Sequence, residues 1–385
     1  MKYSLNKPTQ TKLEKKYVLD VLKKNWLSSN GEHTKLFEKK FAKYLGLKYG
    51  LAVQSGTSAI HIALKAAGVK NGDYVITPNY TCVSNMSCIS QCNGKPLIVE
   101  VEKDTLGLDL ELVKKAIKIY KPKVLQLVHV YGYPARDTVE IVKLCKRKKI
   151  IVIEDSSESF GSEINNKKIG SFGDINVTSV RSEKMIGVGE GGILSFSNKS
   201  LYKKALLVAS RHAPFRSGKD PYWKKYFVNG EGYNYLMPHL LGAVARAQVE
   251  RFPKFMLLKK IQVGKYYKDI FIDKRIKLTQ KNIKGHKAVN WLNSIYFKNL
   301  DKYQVIKIGE ELMRFGIEVR SGFWPMNKQE GFKFKYVNKL NNKINTNSSD
   351  IFFKSLVLPS NTELKLNDIK KIYKILLNIL SKYEK

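Results

Sequence analysis

The sequence predicts an α/β protein, a sheet covered by helices on both faces and followed by a smaller α+β unit. Two features point there. Short β-branched runs bounded by Gly, Pro, Asn or Asp alternate with helical patterns through the first half. After about residue 250 the texture changes to longer helical stretches with few strand runs. A chain of 385 residues with 43% hydrophobic content is too long for one small domain. The expected division is 1–250 for the large α/β domain with its N-terminal segment, and 251–385 for the small C-terminal α+β domain.

Taken in order, "EKKFAKYLG" has apolar residues at helical spacing, and "TSAIHIALKAAG" reads as a helix ending at Gly68. The runs "DYVITPN", "KPLIVEVE", "KVLQLVHVYG", "KIIVIEDS", "INVTSV" and "GGILSFS" have the character of buried strands. Helical segments such as "DLELVKKAIKIY" and "ARDTVEIVKLCKRKK" separate several of them. Beyond them "GAVARAQVERFPKFMLLKKIQVGKYYKDIF" predicts one long helix on which the small domain is hinged. "AVNWLNSIYF", "EELMRFGIEVRSGF" and a last helix "NDIKKIYKILLNILSKY" follow, with "NKLNNKINTNSSD" as a polar loop.

Composition narrows the function classes. The formal charge of +36 comes overwhelmingly from Lys spread along the whole chain, without an Arg-rich arm, a zinc finger or an RNA-binding aromatic signature. Scattered charge gives weak nonspecific attraction, so no specific nucleic-acid partner is expected, although a nonenzymatic regulator or nucleic-acid binder stays open here. No run approaches 18 apolar residues, and no signal peptide is read at the N-terminus; membrane insertion is not expected. Cys82, Cys88, Cys92 and Cys145 have no zinc spacing, so no metal is expected, and reduced thiols fit a cytoplasmic location.

Three stretches carry chemistry. In "VQSGTSAIHIALKAAG" a strand runs into Ser55-Gly56-Thr57-Ser58 and a helix opens at once. Small hydroxyl residues there either cap the helix or present its free N–H groups to a phosphate. In "IIVIEDSSESFGSE" a buried strand ends in Asp155, with Glu158 three residues on. Open α/β sheets place ligands at such strand ends, and a carboxylate there either holds a ring nitrogen protonated or caps the loop. His129 takes a similar strand-end position, and packing is its expected role. In "SEKMIGVGEGGILSF" the residues 187–192 satisfy G-x-G-x-x-G, the signal for a nicotinamide oxidoreductase. A dinucleotide loop opens a helix and has an acid about 20 residues on. These glycines run into a strand pattern instead, and Arg211 and His212 stand where the acid belongs. What remains is Lys184 beside a tight glycine-rich turn, an amine suited to Schiff-base chemistry in a partly desolvated pocket.

Together these stretches resemble the DegT/StrS family of nucleotide-sugar aminotransferases, pyridoxal-phosphate (PLP) enzymes of fold type I. The resemblance runs nearly end to end. It is carried in order by "NWLSSNGEHTKLFEKKFAKYLG", "SGTSAIHIALKAAG", "VHVYGYPAR", "VIEDSSESFGS", "KIGSFGD", "SVRSEKMIGVGEGG", "GYNYLM" and "GIEVRSGFWPMN". It implies a large mixed, mostly parallel seven-stranded sheet and a homodimer with active sites at the subunit interface. Lys184 would hold pyridoxal 5'-phosphate (pyridoxamine phosphate during turnover) as a Schiff base and move the proton. Asp155 would pair with the pyridinium nitrogen, and Glu158 would lie near the phenolic oxygen. Gly56, Thr57, Ser58 and Ser179 would hold the phosphate, with Asn234 reaching it from the neighbouring subunit. Trp26, Arg320 and Asn327 would contact the nucleotide-sugar.

The chain departs from the family pattern in places. Cys82 stands where an aromatic residue often covers the ring, with Tyr80 two residues earlier. Leu236 replaces an Arg, Val180 and Arg181 replace an aromatic pair, and Asn327 stands where His is common. Relatives with His in place of the Schiff-base Lys act as sugar dehydratases, a branch that Lys184 argues against. The resemblance of residues 26–29, Trp-Leu-Ser-Ser, to perosamine- and viosamine-forming enzymes implies a 4-aminotransferase. Its substrate would be a UDP- or GDP-linked 4-keto-6-deoxyhexose and its donor L-glutamate, leaving as 2-oxoglutarate, in surface glycan biosynthesis. A 3-aminotransferase is the alternative.

Overall fold

The computed structural model describes residues 1–214, 220–332 and 347–383. Helix α1 (Lys12–Lys23) starts at Thr11, whose hydroxyl and backbone exchange hydrogen bonds with the Glu14 turn. After α2 (Glu32–Leu45) the chain alternates: β1 (Tyr49–Val53), α3 (Gly56–Ala66), β2 (Tyr74–Pro78), α4 (Ser84–Gln91), β3 (Lys95–Val99), α5 (Leu110–Tyr120), β4 (Val124–Val128), α6 (Thr138–Arg147) and β5 (Ile151–Asp155). Two short strands, β6 (Glu163–Ile164) and β7 (Lys167–Lys168), precede β8 (Ile175–Ser179), β9 (Gly192–Phe196) and α7 (Lys199–Ala209).

Seven of these strands form one sheet in the order β1-β9-β8-β5-β4-β2-β3. Strand β9 runs antiparallel to both neighbours, and every other pairing is parallel. This is the mixed, mostly parallel seven-stranded sheet that the sequence implied. Side chains of successive strand residues enter different cores, because they point to opposite faces. Leu51 and Val53 of β1 join Leu194 and Phe196 of β9 against α3 and α7. Ala52 and Ile193, from the same two strands, face Phe37 and Phe41 of α2. Apolar cover on both faces explains the near-continuous hydrophobic runs.

The topology also places the site. The parallel strands deliver their C-terminal ends to one edge of the sheet. There β1 leads into α3, β5 ends in Asp155 and β8 ends in Ser179. The reversed β9 begins at that edge, with Gly192 paired to both Val53 and Ser179.

The expected long helix is present as one continuous helical run that contains a π-helical turn. Helix α8 (His239–Arg251) passes into a π-helical turn at Phe252–Met256 and then α9 (Leu257–Ile270). Pro253 lies in that turn; lacking an N–H, it cannot continue an α-helical ladder. Residue 250 falls in the last turn of α8. Beyond it come β10 (Ile276–Leu278), β11 (His286–Lys287), β12 (Asn293–Phe297), α10 (Lys302–Arg314), α11 (Asn347–Lys354), β13 (Ser355–Leu358) and α12 (Leu366–Leu380). Strands β10, β12 and β13 form an antiparallel sheet whose core includes residues of α9, α10 and α12. The segment expected as a polar loop, 338–350, lies outside the described residues up to 346, and its last four residues open α11. Tertiary bonds hold that start: Asn347 Nδ2 donates to the Val101 carbonyl at 2.8 Å and Ser348 N to Glu100 Oε1 at 3.2 Å. Among the described residues no helix is long and apolar enough to cross a membrane.

Candidate active site

A cavity of about 410 Å³ opens at the C-terminal edge of the large sheet, within the range of small-molecule sites. One wall is the start of α3. Ser55 caps this helix by accepting from Ser58 N at 3.0 Å, and Thr57 Oγ1 lies 2.9 Å from Ser84 Oγ at the start of α4. The first N–H groups of a helix point outward with the positive end of its dipole, which suits an anion. The cradle is tight: a Cβ on Gly56 would come within 2.7 Å of Ser179 Cβ. Ser179 is positioned in turn by its N–H, which donates to Ser157 Oγ at 2.8 Å. Gly56, Thr57 and Ser179 line the cavity, whereas Ser58 is buried behind them as part of the cap.

At the base stand two carboxylates and one amine. Asp155 is buried, and its oxygens accept from Asn85 Nδ2 at 3.2 Å and Ser157 N at 3.0 Å. Among the described residues it has no ion pair. Lys184 Nζ donates to Glu158 Oε1 at 3.0 Å and sits 3.6 Å from the centre of the Trp291 ring. Glu158 also accepts from Tyr131 N at 2.9 Å. Burial pushes the Glu158 carboxyl above its ordinary value, against the opposing pull of Lys184. The lysine side chain is only 13% exposed, which sets it apart from the solvated lysines that dominate the chain.

The glycine-rich turn serves this arrangement. Gly192 packs against the Ser55–Gly56 peptide so closely that a Cβ would lie 2.3 Å from the Ser55 carbonyl oxygen. The glycines thus let β9 run directly behind the α3 cradle.

Ion pairs line the mouth. Glu183 takes Arg320 Nη1 at 3.0 Å and Arg181 Nη1 at 3.6 Å, and Arg181 Nε reaches Glu190 at 3.1 Å. Cys82 is exposed and lines the cavity. Tyr80 does not line it; its hydroxyl lies 3.1 Å from that of Tyr131, and its ring meets Phe323 edge-on. The structure leaves three expected site residues away from the cavity of the single chain. Trp26 is 55% exposed, its indole donating to the Ser29 carbonyl. Asn234 is exposed, in a bridge with Ser210. Asn327 donates its backbone N–H to Asn79 Oδ1 at 3.0 Å. His129 is packed as expected: Nδ1 accepts from Ala135 N, leaving Nε2–H to donate to Glu154 at 3.2 Å.

Sequence reasoning missed Asn85, Trp291, Ser157 and Phe323. Ser157, between Asp155 and Glu158, could have been found from its place after a strand. The others arrive from a helix start and from loops of the C-terminal part, and only packing brings them here.

The residues fit pyridoxal phosphate. The α3 cradle suits a phosphate, the buried Asp155 lacks a cation that a protonated ring nitrogen would provide, and a shielded amine stands in the same cavity.

Comparison with known proteins agrees. Residues 8–377 match the model of the DegT/DnrJ/EryC1/StrS aminotransferase family. A GDP-perosamine synthase of Escherichia coli O157:H7 is 31% identical over 339 residues, covering 87% of this chain and 89% of that protein. A GDP-perosamine synthase of Vibrio cholerae is 33% identical over 322 residues, covering 81% and 82%. The aminotransferase TlmJ of Streptoalloteichus hindustanus superposes with a TM-score of 0.89 at 21% identity, over 100% of both chains. With the sheet topology, the shielded lysine and the match over nearly its whole length, the chain belongs to the DegT/DnrJ/EryC1/StrS aminotransferase family and is a PLP-dependent enzyme.

Proposed function

We propose that this enzyme transfers the amino group of L-glutamate to C4 of a UDP- or GDP-linked 4-keto-6-deoxyhexose. The products are 2-oxoglutarate and a 4-amino-4,6-dideoxy sugar nucleotide of the perosamine or viosamine type, made in the cytoplasm for surface glycans. The observation that carries the reaction is Lys184, shielded and held between Glu158 and Trp291. The sugar assignment rests on the two GDP-perosamine synthases, each matched over more than 80% of this chain.

When bound, PLP supplies a carbonyl that accepts the amino group and a ring that withdraws electrons from the neighbouring carbon. The chain's residues do the rest. Lys184 Nζ holds the cofactor, takes the proton from Cα of glutamate and returns one to C4 of the sugar. Asp155, buried at the base of the cavity, would pair with the ring nitrogen and favour its protonated form. Glu158 orients the lysine and would stand near the cofactor's phenolic oxygen, and Cys82, in the cavity wall, would take the position from which the family covers the ring. Gly56 and Thr57, with the cap at Ser58 and the Ser179 hydroxyl, bind the phosphate. Asn234 completes that site from a second copy in a homodimer, consistent with its exposure. Trp26, Arg320 and Asn327 contact the nucleotide-sugar. The parts 1–250 and 251–385 act as the two walls of the site.

The test is product analysis with nitrogen-labelled glutamate and a panel of nucleotide-linked keto sugars. Label at C4 is expected; label at C3, or no transfer, overturns the assignment. Borohydride reduction should fix the cofactor to Lys184. Lys184→Ala should lose at least ~10²–10⁴-fold in turnover, the contribution typical of a positioned proton-transfer group. Wild-type turnover in that variant would refute the role.

A further inference from the structure

Lys260, on α9, is completely buried. Its ammonium donates to Asn6 Oδ1 at 3.0 Å, to the Trp291 carbonyl at 2.9 Å and to the Ser360 carbonyl at 2.7 Å. A lysine has three N–H donors, and three neutral oxygens use them all. A charge taken out of water is costly without such partners. Burial accordingly pulls the Lys260 pKa down, to about 7. Chain segments far apart in sequence therefore meet on one cation: the N-terminal segment before α1, α9, the loop before β12 and the turn after β13.

Two of those segments lead straight to the reacting amine. Trp291 donates its indole N–H to the Glu183 carbonyl at 2.7 Å, and Asn6 Nδ2 donates to the same oxygen. Glu183 precedes Lys184, and the face of the Trp291 ring covers Lys184 Nζ. The Ser360 segment closes the ring of contacts, since Ser360 N donates to the carbonyl of Leu5, a residue lining the cavity.

We propose that Lys260 is a positioning residue that acts through Asn6 and Trp291 to fix the Glu183–Lys184 peptide and so aim the Lys184 amine. This rests on Lys184 being the amine that holds the cofactor. Lys260 touches neither substrate nor cofactor. Its ammonium sets the Trp291 and Asn6 donors on the one carbonyl adjoining Lys184, so loosening it displaces the amine from Glu158 and the indole together.

Lys260→Met keeps the volume and removes all three bonds. Asn6→Ala cuts one of the two links and leaves the cation bound elsewhere. In Lys260→Met, kcat should fall by about 10–100-fold, the scale of a ~1 Å misplacement remote from the chemistry. KM for the sugar nucleotide should stay put, since ground-state binding is not removed. The visible band of the lysine-bound cofactor should shift. In cofactor-free protein, the rate at which an amine-directed reagent labels Lys184, read by mass spectrometry, should change severalfold. Asn6→Ala should give the same signature more weakly, and the double variant should fall short of the summed effects. Thermal melts identify any variant that fails to fold; if Lys260→Met does, Asn6→Ala decides alone. Folded variants with wild-type kcat, spectrum and labelling would overturn the proposal, as would strict additivity. Borohydride labelling of the wild type at another lysine would instead sink the underlying assignment.

Discussion

Replacing Gly192 by alanine puts the glycine-rich turn to a quantitative test. The added methyl carbon would stand 2.3 Å from the Ser55 carbonyl oxygen, 2.6 Å from the Ser55 carbonyl carbon and 2.9 Å from Gly56 N. All three are backbone atoms, so no side chain can swing aside. Ordinary contact begins at 3.4 Å, which requires a retreat of about 1 Å. Gly192 is also tied by strand pairing to Val53 and Ser179, so β9 cannot move without dragging its neighbours. Inserting a methylene-sized group into packed backbone costs about 1–3 kcal/mol. The displaced part is the N-terminus of α3. Losing one charge-assisted bond to a phosphate there, about 1.5–3 kcal/mol, weakens PLP binding by about 10–100-fold. The assay is titration of cofactor-free protein with PLP, alongside urea unfolding. Gly331→Ala is the control, since among the described residues nothing lies within 4 Å of the position its Cβ would take. PLP affinity and unfolding midpoint both unchanged in Gly192→Ala would refute the claim that these glycines serve the cradle.

Two other perturbations probe groups that hold the site and its support. Asn85→Leu removes the amide that donates to Asp155 Oδ2, a bond to a carboxylate worth about 1.5–3 kcal/mol; kcat measured with glutamate should fall about tenfold or more, and an unchanged kcat would show that the bond is idle. Glu38 accepts from Ala52 N at 2.8 Å beside β1, and burial raises its carboxyl pKa from 4.5 to about 7. The folded state therefore holds this proton more tightly than the unfolded one. The resulting stability is full below about pH 4.5 and is lost as the pH rises through about 7, at most about 3 kcal/mol. Urea melts across that window should show a shallower fall for Glu38→Gln than for the wild type, and parallel curves would contradict the assignment.

What the sequence made legible follows from how parallel strands work. A buried strand is a local pattern, and its C-terminal end is a definite position, so Asp155 and the Ser55–Ser58 turn could be picked out residue by residue, whereas Ser179 comes from the family resemblance. The sheet then brings them to one edge whatever else the chain does. Trp291, Phe323 and Arg320 come from the part beyond α9, and Leu5 and Asn6 from the N-terminus. Their presence depends on how that part packs, which no periodicity encodes. The π-helical turn inside the long helix has a local origin: the apolar pattern continues through Pro253, and only its missing N–H marks where the α-helical ladder is interrupted between α8 and α9.

Lys184 poses the harder case, since a single lysine in a chain of 69 basic residues carries almost no information by type. Its distinction is physical. Glu158 lies in the loop after β5 and Lys184 in the turn after β8, and these strands are neighbours in the sheet, so 26 positions of sequence close to a 3.0 Å contact. The same adjacency explains why the G-x-G-x-x-G pattern misleads. In a dinucleotide fold the glycines precede a helix and approach a pyrophosphate themselves. Here they precede the one reversed strand of the sheet, and the backbone they bring close is the Ser55–Gly56 peptide at the start of α3, the segment proposed to bind the cofactor's phosphate. Identical spacing thus serves a different partner, and strand direction after the last glycine tells the two apart. Alanine at Gly192 therefore disturbs the Ser55–Gly56 cradle directly, whereas a Cβ on Gly189, at φ +107°, would meet Leu241 only at 3.8 Å, an ordinary contact, so that position resists alanine through backbone strain instead.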